Sequence, residues 1–301
     1  MYNEKQKREY LNDSNTQQRN LSLESYLIGY FKLVEPYEKS YDKDLCNFTT
    51  LEILTFYKSL WSSSLEYLMV INSQFSNYTR YCMVHDYVTD HQNHFEELSK
   101  EDIYTCVNTT LLRSKIIDKD TLESQLNLYY NAVDKYVVYG LFQGMSPYDL
   151  VDLTLENING NYLQLKDRTL YMEDRFVAWT KEAIDTYEYA CYGKTNRSIN
   201  LHPLDTSPVK VRITGEPVGS DGAKYQRISK KLAVLQKEFD LECLTTKNLK
   251  ESGRIYNLNK MHQETGKPYN ECLGSDEIIN RYGTKVSIDR YMLKYGEWLK
   301  D

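Results

Sequence analysis

The chain has 301 residues, which at roughly 100–200 residues per domain points to two domains. Hydrophobic residues make up 41% and the formal net charge is −6, so the chain as a whole is not a basic nucleic-acid binder. No run of about 18 apolar residues occurs, and the opening MYNEKQKREYLNDS is charged, so neither a membrane span nor a secretory leader is expected and the cytoplasm is the predicted location.

Residues 21–36 carry Leu21, Leu23, Tyr26, Leu27, Tyr30, Phe31 and Val34 at helical spacing, with Pro36 predicted to stop the run. Thr49 or Thr50 can cap a second helix that has Glu52 in its first turn. A third helix is predicted over 64–84, and a fourth from Ser99 to about Leu112. Lys5, Lys7, Arg8 and Arg19 are read either as a basic arm or as a frayed terminus. His85, His91 and His94 lie near Asp86 and Asp90; His91 and His94 are placed on one helix face, read as exposed polar residues rather than metal ligands. Residues 1–112 thus read as a helical domain, and 113–120 as a polar linker.

Asp120 or Thr121 is the expected cap of the next helix. The segment 131–142 is apolar almost all round, which predicts a buried helix. Gly144, then Ser146 and Pro147, mark a turn into a short helix with Leu150, Val151 and Leu153. Asn157–Asn161 is a turn. Tyr162 to Leu165 and Thr169 to Tyr171 form a hairpin around Lys166-Asp167-Arg168. A helix follows through Phe176, Val177, Trp179, Ala183 and Ile184. Residues 192–222 read as loop, with a short strand at Val209–Ile213. Helices resume at about 223–239, 246–260, 275–282 and 286–299. The second domain, 119–301, is predicted to be mainly α with a small sheet.

Six cysteines (Cys46, Cys82, Cys106, Cys191, Cys243, Cys272) are scattered with no CxxC pair, so reduced thiols are expected, and no metal. No phosphate-loop, dinucleotide or zinc-protease motif occurs, so no cofactor is expected. Charge is uneven. Residues 209–260 hold eleven Lys/Arg against six Asp/Glu, so a local basic surface on an acidic chain can still bind phosphates. The alternative is a solvated helix face.

The stretch YGLFQGMSPYDLVDLTLENI (139–158) resembles the segment of tyrosine recombinases (phage integrases) that carries their first catalytic arginine. The resemblance covers about residues 20–296, by order and spacing more than by identity. It implies a mainly α fold with a small β-hairpin or sheet, in a two-domain clamp around DNA. In that family two arginines grip the scissile phosphate, a hairpin lysine acts as general acid, histidines assist and a tyrosine attacks phosphorus.

Aligned in this way, Ser146 stands at the first arginine and Lys166 at the hairpin lysine. In LTTKNLKESGRI (244–255), Lys247 replaces a histidine and Lys250 the second arginine. Tyr282-Gly283-Thr284 resembles Leu-Gly-His, with Thr284 for the histidine, and Tyr291 or Tyr295 falls near the nucleophile. Serine carries no charge, and lysine does not reproduce the arginine fork. Loss of one oxyanion-type donor costs roughly 10²–10³ in rate, so this combination implies no catalysis.

A narrower resemblance, through MYNEKQKREYL, GLFQGMSPYDLVDLTLENI and LKDRT, is to the repressors of SPbeta-type Bacillus phages. It implies binding to double-stranded phage operator DNA in the host nucleoid, repression of the prophage, and room for a regulatory protein partner. The DNA-contacting residues expected are Lys166, Arg168, Lys230, Lys231, Lys247, Lys250, Arg254 and Lys260. An active recombinase with a rearranged site and a helical interaction module are the alternatives.

Overall fold

The computed structural model describes residues 1–12, 21–193, 197–212, 221–283 and 286–299. The chain divides into two compact units, Met1–Leu112 and Arg113–Asp301.

The first unit is helical: α1 (Glu4–Asn12), α2 (Leu21–Tyr41), α3 (Thr50–Ser59), α4 (Leu65–Val84), and three short helices, α5 (His94–Glu97), α6 (Lys100–Tyr104) and α7 (Thr109–Arg113). Helix α4 buries Leu65, Leu68, Ile71, Phe75, Tyr78 and Cys82, a stripe at spacings of three and four. Phe31 of α2 packs on Phe75 and Tyr78 with ring centroids 6.2 and 5.1 Å apart. Thr49 caps α3 and shares a capping box with Glu52, as the sequence predicts.

Four expectations change here. Helix α2 runs through Pro36 to Tyr41, because the turns beyond it are buried or stacked: Tyr37 lies against Phe56 (5.4 Å) and Tyr41 against Phe48 (5.3 Å). Packing thus offsets the lost helical hydrogen bond. Lys7 is not part of an arm. It is fully buried, and its ammonium meets Glu38 (2.5 Å), Asp44 (3.6 Å) and the Tyr2 carbonyl (2.9 Å), which docks α1; Arg8 pairs with Glu4, and Arg19 lies outside the described residues. The helix begun at the Ser99 cap ends at Tyr104 and resumes at Thr109. His91 has φ +55° and is not helical, so it shares no helix face with His94.

The second unit is built around α9 (Ala132–Phe142), buried at every position except Lys135. Helix α8 (Lys119–Leu126) precedes it, capped by Asp118 rather than by Asp120 or Thr121. Helix α10 (Pro147–Asp152) follows, tied back by the Tyr136 hydroxyl donating to the Leu150 carbonyl at 2.9 Å. A three-stranded antiparallel sheet comes next: β1 (Ile158–Asn159), β2 (Tyr162–Gln164) and β3 (Thr169–Tyr171). Leu163 opposes Leu170 on the buried face, and Tyr162 opposes Tyr171 on the exposed face.

Helix α11 (Asp174–Asp185) packs on α9. A two-stranded antiparallel pair follows, β4 (Glu188–Ala190) and β5 (Ser198–Asn200), and β5 falls inside the stretch predicted as loop. The predicted strand at 209–213 is reduced to one bridge, Leu201 to Arg212, and residue 213 lies outside the described residues. Then come α12 (Asp221–Phe239), α13 (Thr246–Thr265), α14 (Tyr269–Leu273), α15 (Asp276–Tyr282) and α16 (Ile288–Tyr295). Helix α13 crosses α9 at Gly253, where a Cβ would stand 1.6 Å from the Phe142 carbonyl oxygen. Only glycine permits that approach.

Candidate nucleic-acid interface

The site begins at the turn between α9 and α10. Gly144 adopts φ +94°, and a Cβ there would lie 2.3 Å from the Arg281 carbonyl oxygen, so glycine is required on both counts. Ser146 caps α10. Its hydroxyl accepts from the Asp149 amide (3.1 Å), and the Asp149 carboxylate accepts from the Ser146 amide (2.7 Å). The Ser146 side chain is therefore engaged by the backbone.

Arg168, at the end of the hairpin turn, reaches into this corner. Its Nη2 donates to Asp149 Oδ2 (2.8 Å) and to the Gly144 carbonyl (3.4 Å), and its Nη1 to Asp167 (2.8 Å). The Nε is buried, with no hydrogen-bond partner among the described residues. Lys250, on α13, donates to the Tyr282 carbonyl at 3.3 Å. Burial pushes its pKa down, and the positive charges of Arg254 and Arg168 push it further. Among the described residues Lys250 has no carboxylate within ion-pair distance.

Arg254, one turn on, is 3% exposed and pairs with Glu251 at 3.0 and 3.1 Å. Its guanidinium carbon lies 5.3 Å from the Tyr282 ring centre and 5.7 Å from that of Tyr291, and its Nε has no hydrogen-bond partner among the described residues. The buried Tyr291 hydroxyl likewise has no hydrogen-bond partner among the described residues. Burial, reinforced by Glu251, holds that phenol well above its ordinary pKa, so at neutral pH it is a protonated hydroxyl. Tyr282 is buried too, donating to the Phe142 carbonyl (3.2 Å) and accepting from Asn257 (2.7 Å). Tyr295 lies beside Tyr291, with ring centroids 4.8 Å apart.

The structure thus brings Ser146, Arg168, Lys250, Arg254 and Tyr291 into one neighbourhood. Lys166 is exposed at the adjoining hairpin turn and lines a groove of about 310 Å³ with Tyr148, Asp149, Asp152, Leu153 and Gln164. Lys230, Lys247 and Lys260 are exposed, and no hydrogen bond or ion pair among the described residues joins them to the cluster. Thr284 lies outside the described residues. Sequence reading missed Arg281, whose Nη1 donates to Gln143 (2.9 Å) and Nη2 to the Tyr171 carbonyl (3.4 Å). Its place directly before the noted Tyr282-Gly283 pair was the available signal.

Lys231 is corrected. Its ammonium lies 3.4 Å from the fully buried Asp134 and 4.0 Å from the centre of the Tyr189 ring. Asp134 also accepts from Asn131 and Tyr192, both at 2.9 Å. Lys231 fastens α12 to α9, and placing it on phosphate would strand a buried carboxylate.

The wider basic window is likewise partly spent. Lys210 is buried against the carbonyls of Ala183 and Ser207 (3.1 and 3.3 Å), at the C-terminal end of α11, where a cation is favoured. Arg227 faces Asp205 at 3.9 Å and Lys260 faces Glu264 at 3.8 Å. Charge counted along the chain is not charge presented to a partner.

For metal, the described residues bring together the buried Asp44, Cys46 and Cys82, with ligand atoms within 4.8 Å of one another. The Asp44 carboxylate is already engaged by the Cys46 amide (3.1 Å), the Tyr78 hydroxyl (3.2 Å) and Lys7, and we assign no ion to it.

Comparison with known proteins adds the following. The family described as "MrpR, C-terminal catalytic domain" matches residues 116–295, and "MrpR, N-terminal core-binding domain" matches residues 1–84. A curated relative, the "SPbeta prophage-derived uncharacterized protein YopR" of Bacillus subtilis (strain 168), is 21% identical over 251 residues, covering 78% of this chain and 76% of the relative. A solved structure, a lambda integrase(75-356) dimer bound to a COC′ core site, is similar with a TM-score of 0.43 and 12% identity, covering 94% of this chain and 95% of that one.

Proposed function

The chain belongs to the MrpR family, and from that premise we propose that it is a phage-related DNA-binding protein that represses transcription from a prophage without cutting its DNA. Its fold is tyrosine-recombinase-like: mainly α with small antiparallel sheets, in two domains. The prophage setting draws on the relative named above.

The observation that carries the reading is the convergence of Arg168 and Lys250 at one corner, with the buried, Glu251-paired Arg254 adding its field and no carboxylate within ion-pair distance of Lys250 among the described residues. Cations gathered without full neutralisation suit an oxygen-rich anion arriving from outside. A phosphodiester offers acceptor oxygens and a negative charge and no donor, which matches a corner supplied with donors.

The absence of cleavage rests on the same residues. Ser146 is occupied as a cap. The Tyr291 hydroxyl is buried, protonated and without a hydrogen-bond partner among the described residues to take its proton, which disfavours attack on phosphorus. The corner is equipped to hold a phosphate rather than to transfer it.

The test is affinity for duplex DNA across a salt series, with sequences enriched from a random duplex library at about 0.15 M salt. Lys166→Gln and Lys250→Gln should each weaken binding and lower the salt slope by about one. Unchanged affinity and slope in both would remove this surface from the account.

A further inference from the structure

We infer that Arg168 supplies from the hairpin the phosphate-holding charge that the turn at Ser146 lacks. This rests on the DNA-binding reading above and adds to it which residue took over the lost position. Asp149 stands three residues after Ser146 and one helical turn along, where its carboxylate faces the start of α10. That carboxylate holds the guanidinium of Arg168 at 2.8 Å. The same Nη2 reaches the Gly144 carbonyl at 3.4 Å. The guanidinium therefore fills the corner beside the turn that residue 146 opens.

The donor inventory of Arg168 points the same way. Of its five N–H groups, Nη2 gives both of its own to Asp149 and Gly144, and Nη1 gives one to Asp167. Of the rest, the Nε–H is buried, which leaves the second Nη1–H. Asp167 is 70% exposed, so its pairing is weak and readily exchanged for a stronger anion. Asp149, 10% exposed, is the firmer anchor. One side of the guanidinium is thus fixed, and the other is available to a phosphate oxygen. Lys250 senses the charge of Arg168 together with that of Arg254, so the three cations act on one volume. The guanidinium of Arg168 thus stands beside the turn that holds residue 146.

A purely structural role makes a different prediction, because Arg168 also neutralises Asp149. The experiment uses the full chain and measures affinity for a duplex of about 30 base pairs across a salt series, with thermal melts run in parallel. The variants are Arg168→Ser, Asp149→Asn/Arg168→Ser and Lys250→Gln. Arg168→Ser should weaken binding roughly tenfold or more and lower the salt slope by about one. The double variant removes both charges and relieves the stranded carboxylate, so its melting point should recover while its affinity stays low.

If the double variant binds as tightly as wild type, Arg168 serves only Asp149 and the assignment is overturned. If Lys250→Gln weakens binding and Arg168→Ser does not, the assignment falls and the DNA reading stands. If the folded wild type binds no duplex at all, the DNA reading falls and takes the assignment with it.

Discussion

Asp149 shows how one side chain can be read in two ways. In sequence it is the third residue of a capping box, and the structure shows it in that role. In space it is also the anchor of Arg168, nineteen positions away, which no local spacing reveals. Lys250 is similar: it matches a family position in sequence, but its depressed pKa comes from burial and from two neighbouring cations.

His94 offers a test at this same scale, in the first unit. Its two ring nitrogens face Glu97 (2.9 Å) and Asp90 (2.8 Å), which hold its pKa above the ordinary 6.5. A histidine whose folded pKa is raised contributes stability that is full below about 6.5 and is lost as pH rises through the higher folded value. The two carboxylates are half exposed, so the contribution is below about 1 kcal/mol. Urea melts of wild type and His94→Gln should therefore differ at pH 5.5 and converge above pH 8. A difference that is independent of pH would contradict this pairing.

At the scale of elements, the crossing of α9 and α13 sets the geometry of the site. Phe142 ends α9 just before the Gly144 turn, and Gly253 lies between Lys250 and Arg254 on α13. Gly253→Ala would force the helices apart, since a Cβ and a carbonyl oxygen cannot share 1.6 Å. The expected loss is at least about 3 kcal/mol, the upper end for overpacking, read from denaturant melts. A loss under about 0.5 kcal/mol would mean the helices are not in this contact.

Much of this level was legible in the sequence. The caps at Thr49 and Ser146, the buried α9 and the Lys166 hairpin follow from local chemistry. Other features were not legible, for one physical reason: burial decided them. Pro36 is carried inside a helix because the turns beyond it pack, and Lys7 and Lys231 leave the surface because buried carboxylates hold them. A lysine written in a sequence looks solvated until its partner is located.

On the scale of the whole molecule, a chain of net charge −6 is proposed to hold a polyanion. The two facts are compatible because phosphate contacts act within about a Debye length, roughly 8–10 Å. Much of the positive charge in the 209–260 window is internal, in Lys210, Arg227, Lys231 and Arg254. Binding then depends on one concentrated corner plus exposed lysines such as Lys166, rather than on a broad basic face. Such a protein should bind with a modest salt slope, set by a small number of contacts.

The central claim is that this corner holds DNA and does not cut it. The most direct measurement takes a nicked suicide duplex containing an enriched binding sequence, incubates it with the full chain, and resolves the reaction on gels with and without SDS. The account predicts a retarded complex on the native gel and no SDS-resistant adduct, both for wild type and for Ser146→Arg, whose restored arginine would meet an Asp149 already engaged by Arg168. A covalent adduct that disappears in Tyr291→Phe or Tyr295→Phe would contradict it.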